Sequence, residues 1–375
     1  MLMPKRGMNI YKRKDGRWEG RIRQNTTLEG EKKYRSVYGN SYGEVRQKMI
    51  LLSAEQGEGR QKCPLTVRQV VDLWIKDKKD GWKPSTYSCY RQLIERHIYK
   101  GAGSLRADTF TNTEFAKFLE GIKKGNDGSK ISPSYARNIG SVIRQAFNYA
   151  AREYHYNLPV LEEPKKGKTE KRLEIPPDGA MDKLKKYLLA HTEDATCTGI
   201  LIAYYTGIRI GELCALTWGD IDFEEGLLRV NKNMQRIKDY RQDKTSTTQI
   251  MVQSPKTAYS LRSIPLPDVL LRILKENRKS EEKYLIEGKK KNWAETRTLQ
   301  YRFAAILKAC GVEHFKFHML RHYFASLCMR QGFDLKSLSE ILGHANTQIT
   351  MNLYVHSSMP QKRLLMNKVF QEDAA

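Results

Sequence analysis

The first 60 residues alternate short runs of apolar and polar side chains with turn-forming residues, a pattern typical of antiparallel strands. Asp15-Gly16, a strong hairpin signal, and Glu29-Gly30 divide residues 9–38 into three such runs. The sequence therefore predicts a small three-stranded sheet in this part of the chain.

A helix is predicted directly after this sheet, because Ser41 and Glu44 have the spacing of a capping box. Residues 65–160 then show the spacing of apolar positions that amphipathic helices require. Capping residues or an early proline precede each of four helices, at about residues 67–75, 86–98, 111–123 and 132–153. This part of the chain is predicted to be an all-α domain.

From residue 174 the pattern is mixed. Strand-like runs lie at 227–234, 249–255 and 261–266, and the polar segment 235–248 is expected to be a flexible hairpin insertion. Helices are expected at 178–190, 195–206, 209–216, 268–284, 296–310, 318–331, 335–342 and 347–355. The predicted fold class is multidomain, with a small sheet plus helix at 1–60, an all-α domain at 65–160 and a mixed, mainly helical α+β domain at 174–375.

Net charge changes this picture, because 66 lysines and arginines face only 42 acidic residues, which gives a formal charge of +24. An excess of this size over a whole chain indicates a polyanionic partner. A basic soluble protein without such a partner is the plainer alternative. An anionic membrane surface is a weaker one, since the basic residues are spread along the chain and not gathered on one amphipathic helix.

Cysteine spacing and the N-terminal residues exclude further classes. The six cysteines lie far apart and none forms a C-x-x-C pair, so neither a zinc ribbon nor a redox pair is indicated. The N-terminal residues lack the apolar core of a signal peptide. The longest apolar stretch, from Gly199 to Tyr205, is far too short to span a bilayer. We therefore expect a cytoplasmic protein with no membrane partner.

Histidine and arginine side chains near the C-terminus are the first candidates for chemistry. His318 and Arg321 are three residues apart and therefore share one face of the predicted helix. His318 and His322 have the spacing of a zinc protease motif, but Met319 stands where that motif needs its glutamate. Taken alone, His318 and Arg321 are more simply explained as surface residues.

Three more residues extend this set. His344 follows Gly343 on a predicted turn between helices, Tyr354 comes later, and Arg209 stands upstream in Thr-Gly-Ile-Arg-Ile-Gly-Glu-Leu. Arginine forks bind two phosphate oxygens at once, imidazoles transfer protons near neutral pH, and a tyrosine hydroxyl can form a covalent intermediate. Together these groups suit attack on a phosphodiester, although His344 alone would more simply be a turn histidine.

These motifs, in this order, resemble those of the tyrosine recombinase (phage-type integrase) family. The matching stretches are Tyr205–Leu216, Ser254–Thr257 with Arg262–Leu266, Phe317–His322, and Leu342–His344 through Tyr354. The resemblance covers about residues 174–360 directly. Residues 65–160 are similar to the family's core-site DNA-binding domain, and residues 1–60 to the arm-site DNA-binding domain of many integrases.

The resemblance implies a role for each matching side chain. Tyr354 would attack the scissile phosphorus and form a 3′-phosphotyrosyl link. Arg209 and Arg321 would bind the non-bridging oxygens and stabilise the charge of the transition state. His318 would assist proton transfer, and His344 would donate a hydrogen bond to the phosphate. The expected protein is thus a site-specific recombinase that integrates and excises a mobile element.

Two further residues are assigned by the same resemblance. Lys256, expected on a β-hairpin loop between the strands at 249–255 and 261–266, would protonate the departing 5′ oxygen. Glu212 would orient Arg209 or a neighbouring imidazole. Because the energy of the phosphodiester is kept in the covalent link, neither a cofactor nor a metal is expected.

The implied partner is double-stranded DNA, through core and arm-type attachment sites. The resemblance further implies a homotetramer acting across two duplexes, with accessory directionality or bending proteins. Basic and aromatic residues of the N-terminal sheet could face one DNA-contacting surface, namely Tyr11, Arg17, Trp18, Arg21, Arg23, Tyr34 and Arg35. An ordinary sheet with a solvated basic face explains these residues equally well.

Other functions stay open at this point. A chromosome-dimer or plasmid resolvase uses the same chemistry, but such family members generally lack an arm-binding domain, so residues 1–60 count against this alternative. A type IB topoisomerase uses similar chemistry without a specific site. A non-catalytic DNA-binding regulator is the alternative from another class, and the complete set of candidate catalytic residues argues against it.

Overall fold

A computed structural model of the chain describes residues 9–13, 15–23, 34–55, 61–125, 131–162, 175–240, 248–254, 261–288 and 291–344, together with Arg363 and Asn367. The chain forms two compact units, Met1–Gly167 and Lys168–Ala375. The finer division of the first unit at residues 60–65 stays a prediction. None of the helices in the described residues is both long enough and apolar enough to cross a membrane.

The predicted N-terminal sheet and helix are present, as β1 (Ile10–Lys12), β2 (Trp18–Arg23), β3 (Tyr34–Gly39) and α1 (Tyr42–Glu55). Both strand pairs are antiparallel. The Glu44 N–H donates to Ser41 Oγ at 3.2 Å, so the expected helix start is confirmed. Helix α1 packs closely on the sheet at Gly20, where a Cβ would lie 2.3 Å from Met49 Sδ.

The helical part of the first unit consists of β4 (Gln61–Lys62), α2 (Val67–Lys78), α3 (Pro84–Leu93), α4 (Tyr99–Gly101), α5 (Asn112–Lys124), α6 (Pro133–Glu153) and β5 (Tyr156–Asn157). A π-helical turn, Ile94–Ile98, joins α3 to α4. The capping boxes at Thr66 and Thr111 are both formed. Long side chains of α2 and α6, among them Trp74 and Phe147, are buried in one core.

Seven helices of the second unit lie within the described residues. They are α7 (Asp178–Leu189), α8 (Ala195–Thr206), α9 (Ile210–Leu213), α10 (Asp268–Glu276), α11 (Thr296–Ala309), α12 (His318–Arg330) and α13 (Leu335–Leu342). Helix α8 is buried on nearly all sides and packs against α7, α10, α11 and α12. It is the centre of the core that supports the candidate site.

Two small antiparallel sheets complete the second unit, built from β6 (Ile221–Asp222), β7 (Leu227–Val230), β8 (Asn233–Lys238), β9 (Thr248–Gln253) and β10 (Arg262–Pro265). One sheet has the order β10-β7-β6, and β8 pairs with β9 in the other. The single strand predicted at 227–234 is therefore two strands in different sheets. At the polar insertion predicted at 235–248, β8 and β9 form an antiparallel pair, and residues 241–247 lie outside the described residues.

Two predicted helices are shorter than expected because the backbone beyond each of them bonds to distant residues. The helix predicted at 268–284 ends at Glu276, since the carbonyls of Glu281 and Lys283 accept bonds from the N–H groups of Gly219 and Trp218 at 2.9 Å each. The helix predicted at 209–216 ends at Leu213, since the Leu216 carbonyl accepts from the Leu285 N–H at 3.0 Å. The helix predicted at 347–355 lies outside the described residues.

Candidate active site

The turn between α8 and α9 places Arg209. Gly207 ends α8 in the left-handed conformation, at φ 62°, and a Cβ there would lie 2.6 Å from Phe324 Cδ1, so only glycine fits without strain. Arg209 Nη1 donates to Glu212 Oε1 at 2.8 Å, and Nη2 donates to the Gly343 carbonyl at 3.2 Å. The Arg209 side chain keeps 36% of its surface exposed, so it is held by the protein and open to a ligand.

Arg321 lies on α12 and its side chain is buried, with only 2% of the residue exposed. Nη1 donates to the Gly207 carbonyl at 2.9 Å, and Nη2 donates to the Leu342 carbonyl at 2.6 Å. Arg321 thus ties the α8–α9 turn to the end of α13. Both of these partners are uncharged carbonyls, so the two bonds position the guanidinium without cancelling its positive charge.

His318 begins α12 and contacts a second imidazole. Its ring lies 4.7 Å from the ring of His322, centroid to centroid, in a perpendicular arrangement. Partial desolvation lowers the pKa of His318, and the nearby Arg321 and Arg209 lower it further. Burial, with His318 and Arg321, lowers the pKa of His322 to about 4. Both imidazoles are therefore neutral at pH 7, and each keeps one N–H donor.

His344 is placed by the turn that ends α13, as predicted from the sequence. Gly343 adopts the left-handed conformation at φ 65°, and the His344 N–H donates to the Ser339 carbonyl at 3.0 Å. Burial lowers the pKa of His344 to about 4, and the charges of Arg321, Arg209 and Arg262 lower it further. The imidazole is half-buried near these three arginines and is neutral at physiological pH.

Glu212 is a buried carboxylate between two guanidiniums. It accepts from Arg209 on one side, and from Arg262 Nη2 at 2.8 Å on the other. Burial raises the pKa of Glu212, but the ion pairs with Arg262 and Arg209 outweigh burial and hold the pKa below its ordinary value. Glu212 therefore holds Arg209 in position. The sequence analysis had left two partners open for Glu212, Arg209 or a neighbouring imidazole.

Arg262 is the residue at this site that the sequence interpretation missed. It appeared there only as part of the motif Arg262–Leu266, without a role. Its side chain is 5% exposed, and Nε donates to the Ile341 carbonyl at 2.6 Å. The motif could have revealed this residue. An arginine at the start of an apolar strand is expected to be buried, and a buried arginine needs a partner.

The described residues thus bring together Arg209, Arg321, His318, His344 and Glu212, which the sequence had assigned to one site. Two guanidiniums and two neutral imidazoles are hydrogen-bond donors of the kind that bind phosphate oxygens. Lys256 and Tyr354 lie outside the described residues. The predicted hairpin loop around Lys256 therefore stays a prediction; among the described residues, the strands before and after it, β9 and β10, pair with β8 and β7.

In the part of the chain that the structure describes, no group of three or more histidine, cysteine, aspartate or glutamate side chains could hold a metal ion.

The candidate DNA-contacting residues of the N-terminal sheet do not share one surface. Strand alternation places Arg21 on the face that also carries Tyr11, whose ring the Arg21 guanidinium approaches at 5.5 Å. Trp18 lies on the opposite face, where its ring contacts Tyr42 of α1 at 5.5 Å. The expectation of a single face was wrong for Trp18, because residues three apart in a strand point to opposite sides.

Arg35 pairs with Ile22 and is on the side of Trp18, whereas Arg17 approaches the ring of Tyr38 on the side of Arg21. The side chain of Arg23 is not described.

A buried carboxylate lies in the middle of the basic face. Glu19 is 2% exposed and accepts from Arg13 at 2.8 Å, and from Arg21 and Ser36 at 2.9 Å each. Burial raises its pKa, but these hydrogen bonds outweigh burial and lower the pKa to about 2. Glu19 thus holds Arg13 and Arg21 in place on this face.

Comparison with known proteins was made on sequence and on fold. Residues 179–361 match the model of the phage integrase family, and residues 66–120 match that of its N-terminal SAM-like domain. A XerC-like tyrosine recombinase of Caldanaerobacter subterraneus is 33% identical over 80% of this chain and 81% of its own length. The ICEBs1 integrase of Bacillus subtilis is 21% identical over 84% of this chain and 85% of its own.

The fold is similar to that of the Tn1549 transposon integrase in complex with a circular intermediate DNA. The TM-score is 0.65 at 20% identity, over 81% of this chain and 99% of that one.

Taken with the site, these matches define an enzyme of site-specific DNA recombination. The chain belongs to the phage integrase family, the tyrosine recombinases.

Proposed function

We propose that this chain is the integrase of a mobile element, which cuts and rejoins DNA through a 3′-phosphotyrosyl intermediate formed by Tyr354. The observation that carries the proposal is the convergence of Arg209 and Arg321 on the turn before His344. A phosphate bound there would meet two guanidiniums on supports that are already fixed by hydrogen bonds. Such preorganised cations stabilise the charge that develops in the transition state.

Each step of the proposed cleavage has a residue assigned to it. The Tyr354 oxygen forms a bond to phosphorus while the bond to the 5′ oxygen breaks, and Lys256 gives that oxygen a proton. Arg209 and Arg321 bind the non-bridging oxygens. His318 accepts or returns the tyrosine proton, which requires a neutral imidazole and agrees with its lowered pKa.

The remaining site residues orient or bind without exchanging protons. His344 donates its one N–H to the phosphate, and its pKa of about 4 keeps it neutral at pH 7. Glu212 fixes Arg209 at 2.8 Å. In the reverse step the 5′ hydroxyl attacks the phosphotyrosine, so the number of phosphodiester bonds is conserved and no ATP is needed.

The proposal is tested by trapping the covalent intermediate. A nicked duplex that carries the recombination site, located beforehand by footprinting the DNA that flanks the gene, releases a short fragment on cleavage and so prevents rejoining. We expect a protein–DNA adduct that survives denaturation and forms at the same rate with EDTA present. Loss of the adduct in EDTA, with recovery on adding Mg²⁺ or Zn²⁺, would contradict the metal-free mechanism. DNA binding without any adduct would favour a non-catalytic regulator.

A tetramer follows from the same chemistry. Exchange between two duplexes requires four strand cleavages, and each protomer is proposed to supply one Tyr354. Accessory directionality or bending proteins and a cytoplasmic location are parts of the proposal that rest on the family alone.

The basic face of the N-terminal sheet supports an integrase over a resolvase. We propose that Arg17 and Arg21 contact arm-type sites, with Arg13 and Arg21 held by Glu19. Trp18 and Arg35 lie on the other face, against which α1 packs, and they are not part of this proposed contact. A resolvase has no need for a second DNA-binding surface.

Removal of residues 1–60 should separate arm binding from core cleavage. The shortened chain begins at Gln61, because β4 pairs with β5 and Cys63 is buried in the helical core. We expect it to bind and cleave core DNA but to lose footprints on distal repeats. In the full chain, Arg21→Ala should weaken repeat binding more than Trp18→Ala, with a steep dependence on salt. Identical footprints of full and shortened chains would favour a resolvase.

A further inference from the structure

The C-terminal end of α13 is bound by three arginines from three different elements. Its last carbonyls each accept one hydrogen bond from a guanidinium: Ile341 from Arg262 at 2.6 Å, Leu342 from Arg321 at 2.6 Å, and Gly343 from Arg209 at 3.2 Å. Carbonyls at a helix end lack partners within the helix and carry partial negative charge. Cations are therefore favoured there, and the turn that carries His344 is fixed by them.

Arg262 is held by the protein with all three parts of its guanidinium. Its side chain is almost fully buried, as is Arg321, whereas that of Arg209 is 36% exposed. Arg262 binds Glu212 with both terminal nitrogens, Nη2 at 2.8 Å and Nη1 at 3.3 Å, and binds Ile341 with Nε. Arg262 therefore contacts both the carboxylate that holds Arg209 and the end of the helix that precedes His344.

The packing around Arg262 leaves little room for movement. Gly343 lies against its guanidinium, since a Cβ at that glycine would be 3.0 Å from Arg262 Nη1. A planar fork fills this space and reaches Glu212 and Ile341 at once, in fixed directions. Lysine would keep the charge but has no donor that corresponds to Nε. The site therefore requires the geometry of arginine as well as its charge.

We infer that Arg262 is a positioning residue for cleavage, which fixes Arg209 through Glu212 and fixes the turn of His344 through the Ile341 carbonyl. This inference rests on the proposed function, because it concerns the residues that would bind the phosphate. Without Arg262, Glu212 keeps a single guanidinium partner, and both Arg209 and the turn gain freedom. A displacement of about 1 Å in a positioned group can reduce a rate about 100-fold.

Arg262→Gln and Arg262→Lys test the inference, with Arg229→Gln as the matched control. Arg229 is an exposed arginine on the neighbouring strand β7, opposite Ser263, and pairs with Asp222. We expect Arg262→Gln to reduce single-turnover cleavage by roughly 10- to 100-fold. Arg262→Lys should give an intermediate rate, and Arg229→Gln a rate within about threefold of the wild type. DNA affinity, measured in parallel, should change little in all three.

Combination with Arg209→Ala separates positioning from general destabilisation. The part of the Arg262 effect that passes through Arg209 should be absent once Arg209 is lost, so the double variant Arg209→Ala/Arg262→Gln should lose clearly less activity than the product of the two single losses. If Arg262 only stabilises the fold, the two effects should multiply and the urea midpoint should fall, and this result would overturn the inference. Cleavage by Arg262→Gln within threefold of the wild type would also overturn it.

A measurement without DNA distinguishes failure of this inference from failure of the proposed function. The His344 imidazole is titrated by NMR in the free protein, with its signal assigned through His344→Gln. Arg262→Gln removes one of the cations beside His344 and loosens the turn, so the pKa of His344 should rise. Arg262→Lys keeps the charge, so a rise of the His344 pKa in that variant reports the loosened turn and not the lost charge. If the wild type forms no DNA adduct but the pKa rises in both variants, the proposed function fails and the positioning stands. An unchanged titration would overturn the positioning.

Discussion

Tyr354→Phe should abolish the covalent adduct, because the substitution removes only the oxygen that attacks phosphorus. We expect cleavage to fall by at least about 10⁴-fold, the scale on which hydrolases lose activity without their nucleophile. DNA affinity should change by less than about threefold, since the ring and the backbone remain. The rate is measured in single-turnover cleavage of the nicked duplex, and the affinity by electrophoretic mobility shift.

Tyr301→Phe is the control for this prediction. Tyr301 lies on α11, is 64% exposed and contacts Arg297, so it loses the same hydroxyl away from the candidate site. Its cleavage rate should equal that of the wild type. An adduct recovered from Tyr354→Phe would show that another tyrosine is the nucleophile, and peptide mapping of the adduct would identify it.

Arg209→Ala and Arg321→Ala should each reduce cleavage by roughly 10²- to 10³-fold, by analogy with the loss of one oxyanion-hole donor. The two variants should differ in stability. Loss of buried Arg321 leaves the Gly207 and Leu342 carbonyls without that donor, and an unsatisfied buried group costs about 1–3 kcal/mol. Arg209 is partly exposed, so its loss should cost less.

Single-turnover cleavage and urea unfolding separate these two effects. Arg278→Ala is the control, because Arg278 is 53% exposed and contacts Glu281 and Phe223 away from the site. Rates are compared at a temperature where every variant is folded. A loss of less than tenfold for Arg209→Ala would exclude that guanidinium from direct contact with the phosphate. For Arg321, Arg321→Lys provides a second variant with the charge kept.

Helix starts were predictable from the sequence because their hydrogen bonds are local. The capping boxes at Thr66 and Thr111 each join residues three apart, and the two helices begin directly after these predicted capping residues. The turn of Gly343 and His344 was predictable for the same reason, since a glycine after an apolar helical run favours the left-handed cap. The shared helix face of His318 and Arg321 required only the helical period.

Element ends and faces were less predictable where partners are distant. The length of the helix predicted at 268–284 was overestimated, because carbonyls in the second half of this segment accept hydrogen bonds from the backbone of Trp218 and Gly219. In the N-terminal sheet, alternation fixes that Trp18 and Arg21 lie on opposite faces. The packing of α1 alone decides which face is covered.

Thus the sequence by itself determined the motifs that identify the family, the starts of the helices and most residues of the site. All of these depend on residue type and on spacings of a few residues. The tertiary structure alone decided how they are held. Arg209 reaches Gly343 across 134 positions and Arg262 reaches Ile341 across 79, and no local pattern encodes such contacts. The role of Arg262 is visible only in the fold because three elements must pack together before the last carbonyls of α13 meet their three guanidiniums.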